Sequence, residues 1–179
     1  MKRIYLVILG IVLVSATGFA QKGNNQIGVG ADVSFPTGDF GDAFKTGFGG
    51  YAKGLYGIGT AGQITFTTGY SSYKAKGSDD DFKITTSVIP LLAGYRHNFD
   101  GFYVEPQVGY GIYGIKIKGG EEFDGKDSEG AFTWAATAGY VFNKQFEISA
   151  RYQSGHKDGG SMSVFGVRLG YNFSLGGNK

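Results

Sequence analysis

Cysteine is absent from the 179-residue chain, and proline occurs only three times. Without cysteine the chain has no disulfides, no thiolate metal ligands and no cysteine for a lipid anchor. The scarcity of proline excludes a proline-rich linker, although glycine makes up about 18% of the residues, against an average near 7%. Abundant glycine together with 12 tyrosines and 15 phenylalanines indicates a β-protein with tight turns and large apolar side chains.

A hydrophobic run long enough for a transmembrane helix is also lacking. The apolar stretch of residues 4–14 is shorter than the roughly 20 residues that a spanning helix needs. It follows a basic start and leads to a small-x-small motif formed by Gly18 and Ala20. The sequence therefore predicts a cleaved signal peptide over residues 1–20 and a single mature domain over residues 21–179.

The mature domain has no net charge. Beyond the two basic residues of the signal peptide, 15 basic and 15 acidic residues remain. A neutral chain without a basic cluster gives no electrostatic reason to bind nucleic acid, and we predict no such partner. The acidic runs within residues 79–81 and 121–124 lack EF-hand spacing, so we predict neither a metal nor another cofactor.

Apolar residues alternate with small or polar residues in eight segments of the mature domain, which is the pattern of half-buried β-strands. The segments cover residues 27–35, 47–57, 63–73, 84–96, 102–115, 131–142, 146–155 and 161–173. This number of evenly spaced strands predicts an all-β fold, in which the strands form an antiparallel up-and-down barrel.

The connections between the segments alternate in length. Long connections are predicted at residues 36–46, 74–83 and 116–130, and an intermediate one at 156–160. Short connections are predicted at residues 58–62, 97–101 and 143–145. Short periplasmic turns and longer external loops are typical of outer-membrane barrels, so we predict an eight-stranded transmembrane β-barrel with its long connections outside.

Charged residues are rare within the eight segments. A soluble barrel would carry many of them on its exterior, whereas these segments hold only seven. The lumen of an eight-stranded barrel is just wide enough to be filled by side chains, and a charge buried there must be paired. We therefore predict a lumen charge network made of Asp32, Lys53, Arg96, Glu105, Glu147, Arg151 and Arg168.

Five of these seven residues are expected to form the main part of the network because their strands are neighbours or their positions share a face. They are Arg96, Glu105, Glu147, Arg151 and Arg168. The alternative for any one of the seven is a solvated position at the rim of the barrel.

Aromatic residues on the opposite face cluster towards the two ends of the segments. One group is expected at the periplasmic end: Tyr56, Tyr95, Phe102, Phe142, Phe146, Tyr171 and Phe173. The other is expected towards the outer end: Phe35, Phe48, Tyr70, Phe132, Trp134, Tyr152 and Phe165. Two aromatic girdles around an apolar band are typical of a lipid-facing barrel exterior.

Several short motifs carry a family resemblance that covers essentially the whole mature domain. They are the Pro-Thr-Gly-Asp-Phe stretch at 36–40, the Ile-Pro-Leu stretch at 89–91 and the terminal Gly-Tyr-Asn-Phe at 170–173. In this order they resemble the small outer-membrane β-barrel domain family (OmpA/OmpX-like, porin superfamily). The resemblance implies the bacterial outer membrane as location, and it implies that Leu169, Tyr171 and Phe173 provide the signal read by the barrel-assembly machinery.

The sequence predicts a non-enzymatic barrel with a structural or surface-interaction role, whose lumen is filled by side chains. We expect a monomer in contact with outer-membrane lipid, and no pattern identifies a ligand for the external loops. One alternative is a narrow porin-like conduit for small solutes or hydrophobic molecules. A second is a lipid-modifying enzyme, because Ser154 and His156 share a strand face and could act as nucleophile and base.

Overall fold

The eight alternating segments pair with their neighbours in sequence order and close into an antiparallel barrel. The computed structural model describes residues 25–78, 82–119, 123–157 and 160–175. Its strands are β1 Gln26–Thr37, β2 Gly47–Ile58, β3 Gly62–Lys74, β4 Phe82–Phe99, β5 Phe102–Gly119, β6 Phe123–Phe142, β7 Phe146–Lys157 and β8 Gly160–Ser174. The predicted eight-stranded antiparallel barrel is confirmed, whereas the predicted signal peptide lies outside the described residues.

A short helix and a final strand pairing complete the architecture. The helix, α1 Asp39–Ala43, follows β1 at the outer end. The last strand returns to the first, so that β8 pairs with β1 from Ser174 opposite Gln26 to Ser163 opposite Thr37. Within the described ranges, no helix is long and apolar enough to cross a membrane.

The two faces of the wall have opposite chemistry. Along β2, for example, Tyr51, Lys53 and Leu55 are buried, whereas Ala52 and Tyr56 between and beside them are exposed. The exposed face carries large apolar side chains on all eight strands. Together they form an apolar patch far larger than those found on water-facing protein surfaces. The outer surface therefore suits a hydrocarbon environment, and the polar residues face the lumen.

Rings on the exterior contact one another near the two ends of the barrel. Tyr171 lies with its ring centroid 5.0 Å from that of Phe146 and 4.7 Å from that of Phe173. At the other end, the centroids of Trp134 and Tyr152 are 5.5 Å apart. Such clusters at two heights match the girdles that anchor a barrel at the membrane–water interfaces.

The periplasmic turns are two or three residues long. Asp100 and Gly101 connect β4 and β5 with φ angles of 49° and 95°, as a two-residue turn of the primed type requires. The turn between β6 and β7 also uses positive φ, at Asn143 and Lys144. The longer connections of the barrel lie at the opposite, outer end.

The prediction of a long loop at residues 116–130 is wrong, because β5 and β6 continue as a paired hairpin through this region. Lys116 pairs with Lys126, and the ladder extends to Gly119 opposite Phe123. A membrane strand needs about 9–11 residues, so these strands of 18 and 20 residues extend roughly 25 Å further. Beyond the bilayer both faces of a hairpin meet water, which removes the apolar alternation that identifies a strand.

The close approach of neighbouring strands at Gly109 generates a test of the barrel packing. A Cβ atom at Gly109 would lie 2.2 Å from the Leu91 carbonyl oxygen, whereas one at Gly54 would have no heavy atom within 4 Å. We expect Gly109→Ala to lower the free energy of unfolding by about 1–3 kcal/mol, because the backbone must shift. Gly54→Ala should be neutral or stabilising by up to about 1 kcal/mol.

Both variants can be compared with the wild type by urea unfolding in lipid vesicles, followed by the gel migration of unboiled samples. Equal stabilities of the two variants would contradict the packing described at Gly109.

Candidate functional site

Four charged side chains from four different strands meet in the periplasmic half of the lumen. We call Lys53, Arg96, Glu105 and Glu147 the charge cluster; each of its side chains is at most 3% exposed. Lys53 Nζ lies 2.9 Å from Glu105 Oε2 and 3.7 Å from Glu147 Oε1. Arg96 Nη2 lies 3.0 Å from Glu105 Oε2 and 2.9 Å from Glu147 Oε2. The cluster is electrically balanced and bridges opposite sides of the wall.

Neutral side chains complete the hydrogen bonding of the two carboxylates. Thr65 donates its hydroxyl to Glu105 Oε1 at 2.9 Å, and Tyr103 donates to Glu147 Oε1 at 2.6 Å. The Arg96 guanidinium also stacks on the Tyr103 ring, with 3.7 Å between its central carbon and the ring centroid. All four carboxylate oxygens therefore have a partner, which a buried ion cluster requires if it is not to destabilise the fold.

The remaining three predicted residues lie nearer the outer end. Arg151 donates to the side-chain oxygens of Gln107 and Gln153. The guanidinium carbon of Arg168 lies 4.6 Å from the centroid of the Tyr51 ring. Asp32 accepts hydrogen bonds from the hydroxyl groups of Ser34 and Ser71. All seven predicted charges thus lie within the lumen, but they occupy two levels.

The membership of the cluster differs from the five residues expected to form the main network. Lys53 belongs to it, and Arg151 and Arg168 do not. Glu147 and Arg151 share a strand face, yet four residues along a strand correspond to roughly 13 Å, which is too far for a direct ion pair. Height along the barrel axis therefore decides which charges meet, and strand order alone does not give that height.

Four inward-facing tyrosines fill much of the remaining space, and the sequence analysis missed them. Tyr51, Tyr73, Tyr103 and Tyr113 are between 0% and 7% exposed. Glycines on the wall make room for their rings: a Cβ atom at Gly47 would lie 2.4 Å from Tyr73 Cδ1. Strand parity is the signal that could have found three of these tyrosines, because Tyr51 lies two residues from Lys53 on β2, and Tyr103 and Tyr113 lie two and eight residues from Glu105 on β5.

An apolar plug closes the outer end of the lumen. Phe40 of α1 points inward and packs with ring-centroid distances of 4.7 Å to Phe44 and 5.3 Å to Tyr73. The plug also includes Val88, Tyr113, Ala131 and Val164, with Met162 packed against it. Backbone hydrogen bonds hold the loop that carries α1, from Lys45 to the Lys74 carbonyl and from Lys76 to the Ala43 carbonyl, both at 2.8 Å.

The candidate catalytic pair is poorly arranged for nucleophilic attack. Ser154 Oγ is 3.5 Å from His156 Nδ1, at the limit of a hydrogen bond, and 2.8 Å from Ser163 Oγ. The Ser154 side chain is buried, with 2% exposure. A nucleophile must reach its substrate, whereas this hydroxyl is buried on the exterior face of β7, where it is hydrogen-bonded to Ser163. Among the described residues, no group of three or more His, Cys, Asp or Glu is placed to hold a metal ion.

The three residues assigned to the assembly signal lie on the outer face of β8. Leu169 and Phe173 are exposed and Tyr171 is partly exposed. Phe173 pairs with Ile27 of β1, and Tyr171 pairs with Val29 on one side and Phe146 on the other. They therefore lie on the strand whose pairing closes the barrel.

The family model for the outer membrane protein beta-barrel domain matches residues 6–173. The chain belongs to this family. Its members are proteins of the bacterial outer membrane, and the apolar exterior and filled polar lumen of the chain are those of such a barrel. None of the curated proteins compared with the sequence matches it.

Solved structures of outer-membrane barrels are similar in fold. Ail, the attachment invasion locus protein of Yersinia pestis, superposes with a TM-score of 0.67 at 15% identity, covering 86% of this chain and 100% of Ail. That structure contains Ail in complex with the heparin analogue sucrose octasulfate. The N-terminal barrel domain of Pseudomonas aeruginosa OprF gives a TM-score of 0.56 at 18% identity, covering 85% and 100%. Identities this low show the shared fold alone.

The balance of the charge cluster generates a test by double-mutant cycle. Glu105→Gln leaves two cations sharing one carboxylate, and we expect it to lower the free energy of unfolding by about 3 kcal/mol. Adding Lys53→Met restores the balance, so the double variant should be more stable than the sum of the two single changes predicts.

The measurement is urea unfolding in lipid vesicles. The control is Asp42→Asn, a change of an exposed residue of α1, which we expect to change stability by less than about 0.5 kcal/mol. Strict additivity of Glu105→Gln and Lys53→Met would mean that the two side chains are not coupled.

Proposed function

We propose that this outer-membrane barrel is non-enzymatic, has a closed lumen, and acts in a structural or surface-interaction role. The observation that carries the proposal is the charge cluster, because its ion pairs cross the lumen between β2, β4, β5 and β7. A second closure at the outer end, the apolar plug around Phe40, supports the same conclusion. Because the proposed lumen is blocked at two levels, contacts with other molecules would be made by the exterior of the barrel and by the outer hairpins.

The outer hairpins are the part of the protein most suited to contacts with the medium. The β5–β6 hairpin is the longest, and its outer part exposes charged side chains of both signs, including Lys116, Lys118 and Asp127. Exposed apolar side chains occur on all eight strands below it. This uninterrupted apolar belt supports a monomer surrounded by outer-membrane lipid, with contacts to partners made above the membrane.

The competing function is a narrow porin-like conduit, and conductance separates the two. In planar bilayers we expect the wild type to show no sustained open-channel current, while an open porin in the same bilayer does. Phe40→Ala should also show none, because it removes part of the apolar plug but leaves the charge cluster in place. Sustained current through the wild type would overturn the closed-lumen proposal in favour of the conduit.

We also propose that the barrel-assembly machinery reads Leu169, Tyr171 and Phe173. Their position on the outer face of the closing strand supports this role, since a side chain there is accessible before and after β8 pairs. Phe165 is a matched control, because it is another exposed phenylalanine of β8.

We expect Phe173→Ala to lower the fraction of folded, heat-modifiable protein in cells by several-fold, and Phe165→Ala to lower it less. Both variants should refold equally well into vesicles that contain no assembly machinery. A similar defect of Phe173→Ala in those vesicles would indicate a folding effect, and the proposed signal would then be wrong.

A further inference from the structure

A cavity of about 550 Å³ lies at the outer end of the barrel, above the apolar plug. We call it the outer vestibule. Tyr113, Ala131 and Met162 belong both to its lining and to the plug region, so its floor is apolar and closed. The volume falls within the range of small-molecule sites, which combine apolar walls with a few polar groups.

Carboxylates line the wall of the outer vestibule from two sides. Asp39 reaches it from α1, and Asp127 and Glu129 reach it from β6. Among the described residues that line the vestibule there is no lysine or arginine. A cleft lined by charges of one sign raises the local concentration of ligands of the opposite sign, which here are cations.

A buried hydroxyl provides an independent indication of a ligand. Thr86 lines the outer vestibule, its residue is 1% exposed, and its Oγ1 atom has no hydrogen-bond partner among the described residues. Thr86 and Asp127 flank Ile115 in the adjoining ladders, so the hydroxyl and the carboxylate lie at the same height on the same face. A buried polar group without a partner is unusual in a native protein and calls for one, such as a water, an ion or a ligand.

We propose that the outer vestibule binds a small amphipathic organic cation, an amine with an apolar body. The apolar body packs on Tyr113, Ala131 and Met162, and the ammonium group lies between Asp39 and Asp127. The Thr86 hydroxyl accepts a hydrogen bond from the ammonium. This inference rests on the proposed function, because the closed lumen makes the vestibule a blind pocket that retains its ligand.

Met162 provides a direct probe of occupancy, because it is the only methionine after Met1. The test follows the ¹³C-methyl resonance of Met162 in the protein embedded in lipid nanodiscs, during titration with 2-phenylethylamine. Phenylacetate and 2-phenylethanol are the anionic and neutral controls of similar shape. We expect a saturable shift with the amine, no saturable shift with the acid, and weaker binding of the alcohol.

Variants identify the groups that hold the cation. We expect Asp39→Asn and Asp127→Asn each to weaken amine binding by about two- to five-fold, as for charge pairs near the surface. Thr86→Val should also weaken amine binding. Asp42→Asn should leave amine binding unchanged, because Asp42 lies on the same short helix as Asp39 but outside the lining. The heat-modifiable migration of each variant verifies that the barrel still folds.

Equal shifts with amine, alcohol and acid would overturn the inference, and so would full amine binding in the Asp39→Asn/Asp127→Asn double variant. Conductance of the same preparation separates this outcome from failure of the proposed function. Current with saturable amine binding would reject only the closed lumen, whereas absence of both current and amine binding would reject only the cation site.

Discussion

The narrow interior of an eight-stranded barrel is the constraint on which the rest of this structure depends. Closure of eight strands leaves a narrow space that side chains must fill. An empty void would lack van der Waals contacts, and a water molecule trapped there would need polar partners. Four tyrosines and the charge cluster occupy this space, and small residues on the facing wall give them room. At Gly47 and Gly155, a Cβ atom would collide with the rings of Tyr73 and Tyr113. The four inward-facing tyrosines and the glycines that contact them are thus parts of one packing arrangement.

The distribution of polarity follows from the same closure. Hydrocarbon outside the wall favours apolar side chains there, so every charge within the membrane height must point inward, where it meets other charges at short range. The four members of the charge cluster form ion pairs with one another, and its two carboxylates also accept hydrogen bonds from Thr65 and Tyr103. Removing one member leaves a charge without compensation, whereas removing an oppositely charged pair preserves the balance. The cluster therefore behaves as one unit that connects four strands.

The sequence was sufficient for the architecture because lipid on one side and a packed lumen on the other impose strict alternation. The same reasoning failed above the membrane, where the β5–β6 hairpin is solvated and no alternation is needed. The sequence predicted that the seven charges lie in the lumen, but it did not predict that Arg151 and Arg168 lie nearer the outer end than the charge cluster. Their height along the barrel axis depends on the register of strand pairing across the whole barrel. The inward direction of Phe40 was beyond the sequence, since it depends on how the loop of α1 is tied to residues 74–76.

The pairing of β1 with β8 has a consequence for the time course of folding. Gln26 and Ser174 are partners although they come from opposite ends of the domain. The first strand therefore keeps an open edge until the last strand has been delivered, and such distant pairing makes folding intrinsically slow. An unpaired edge with apolar side chains invites association with other chains. Pairing of β8 with β1 is therefore the step that removes the last exposed edge of the sheet.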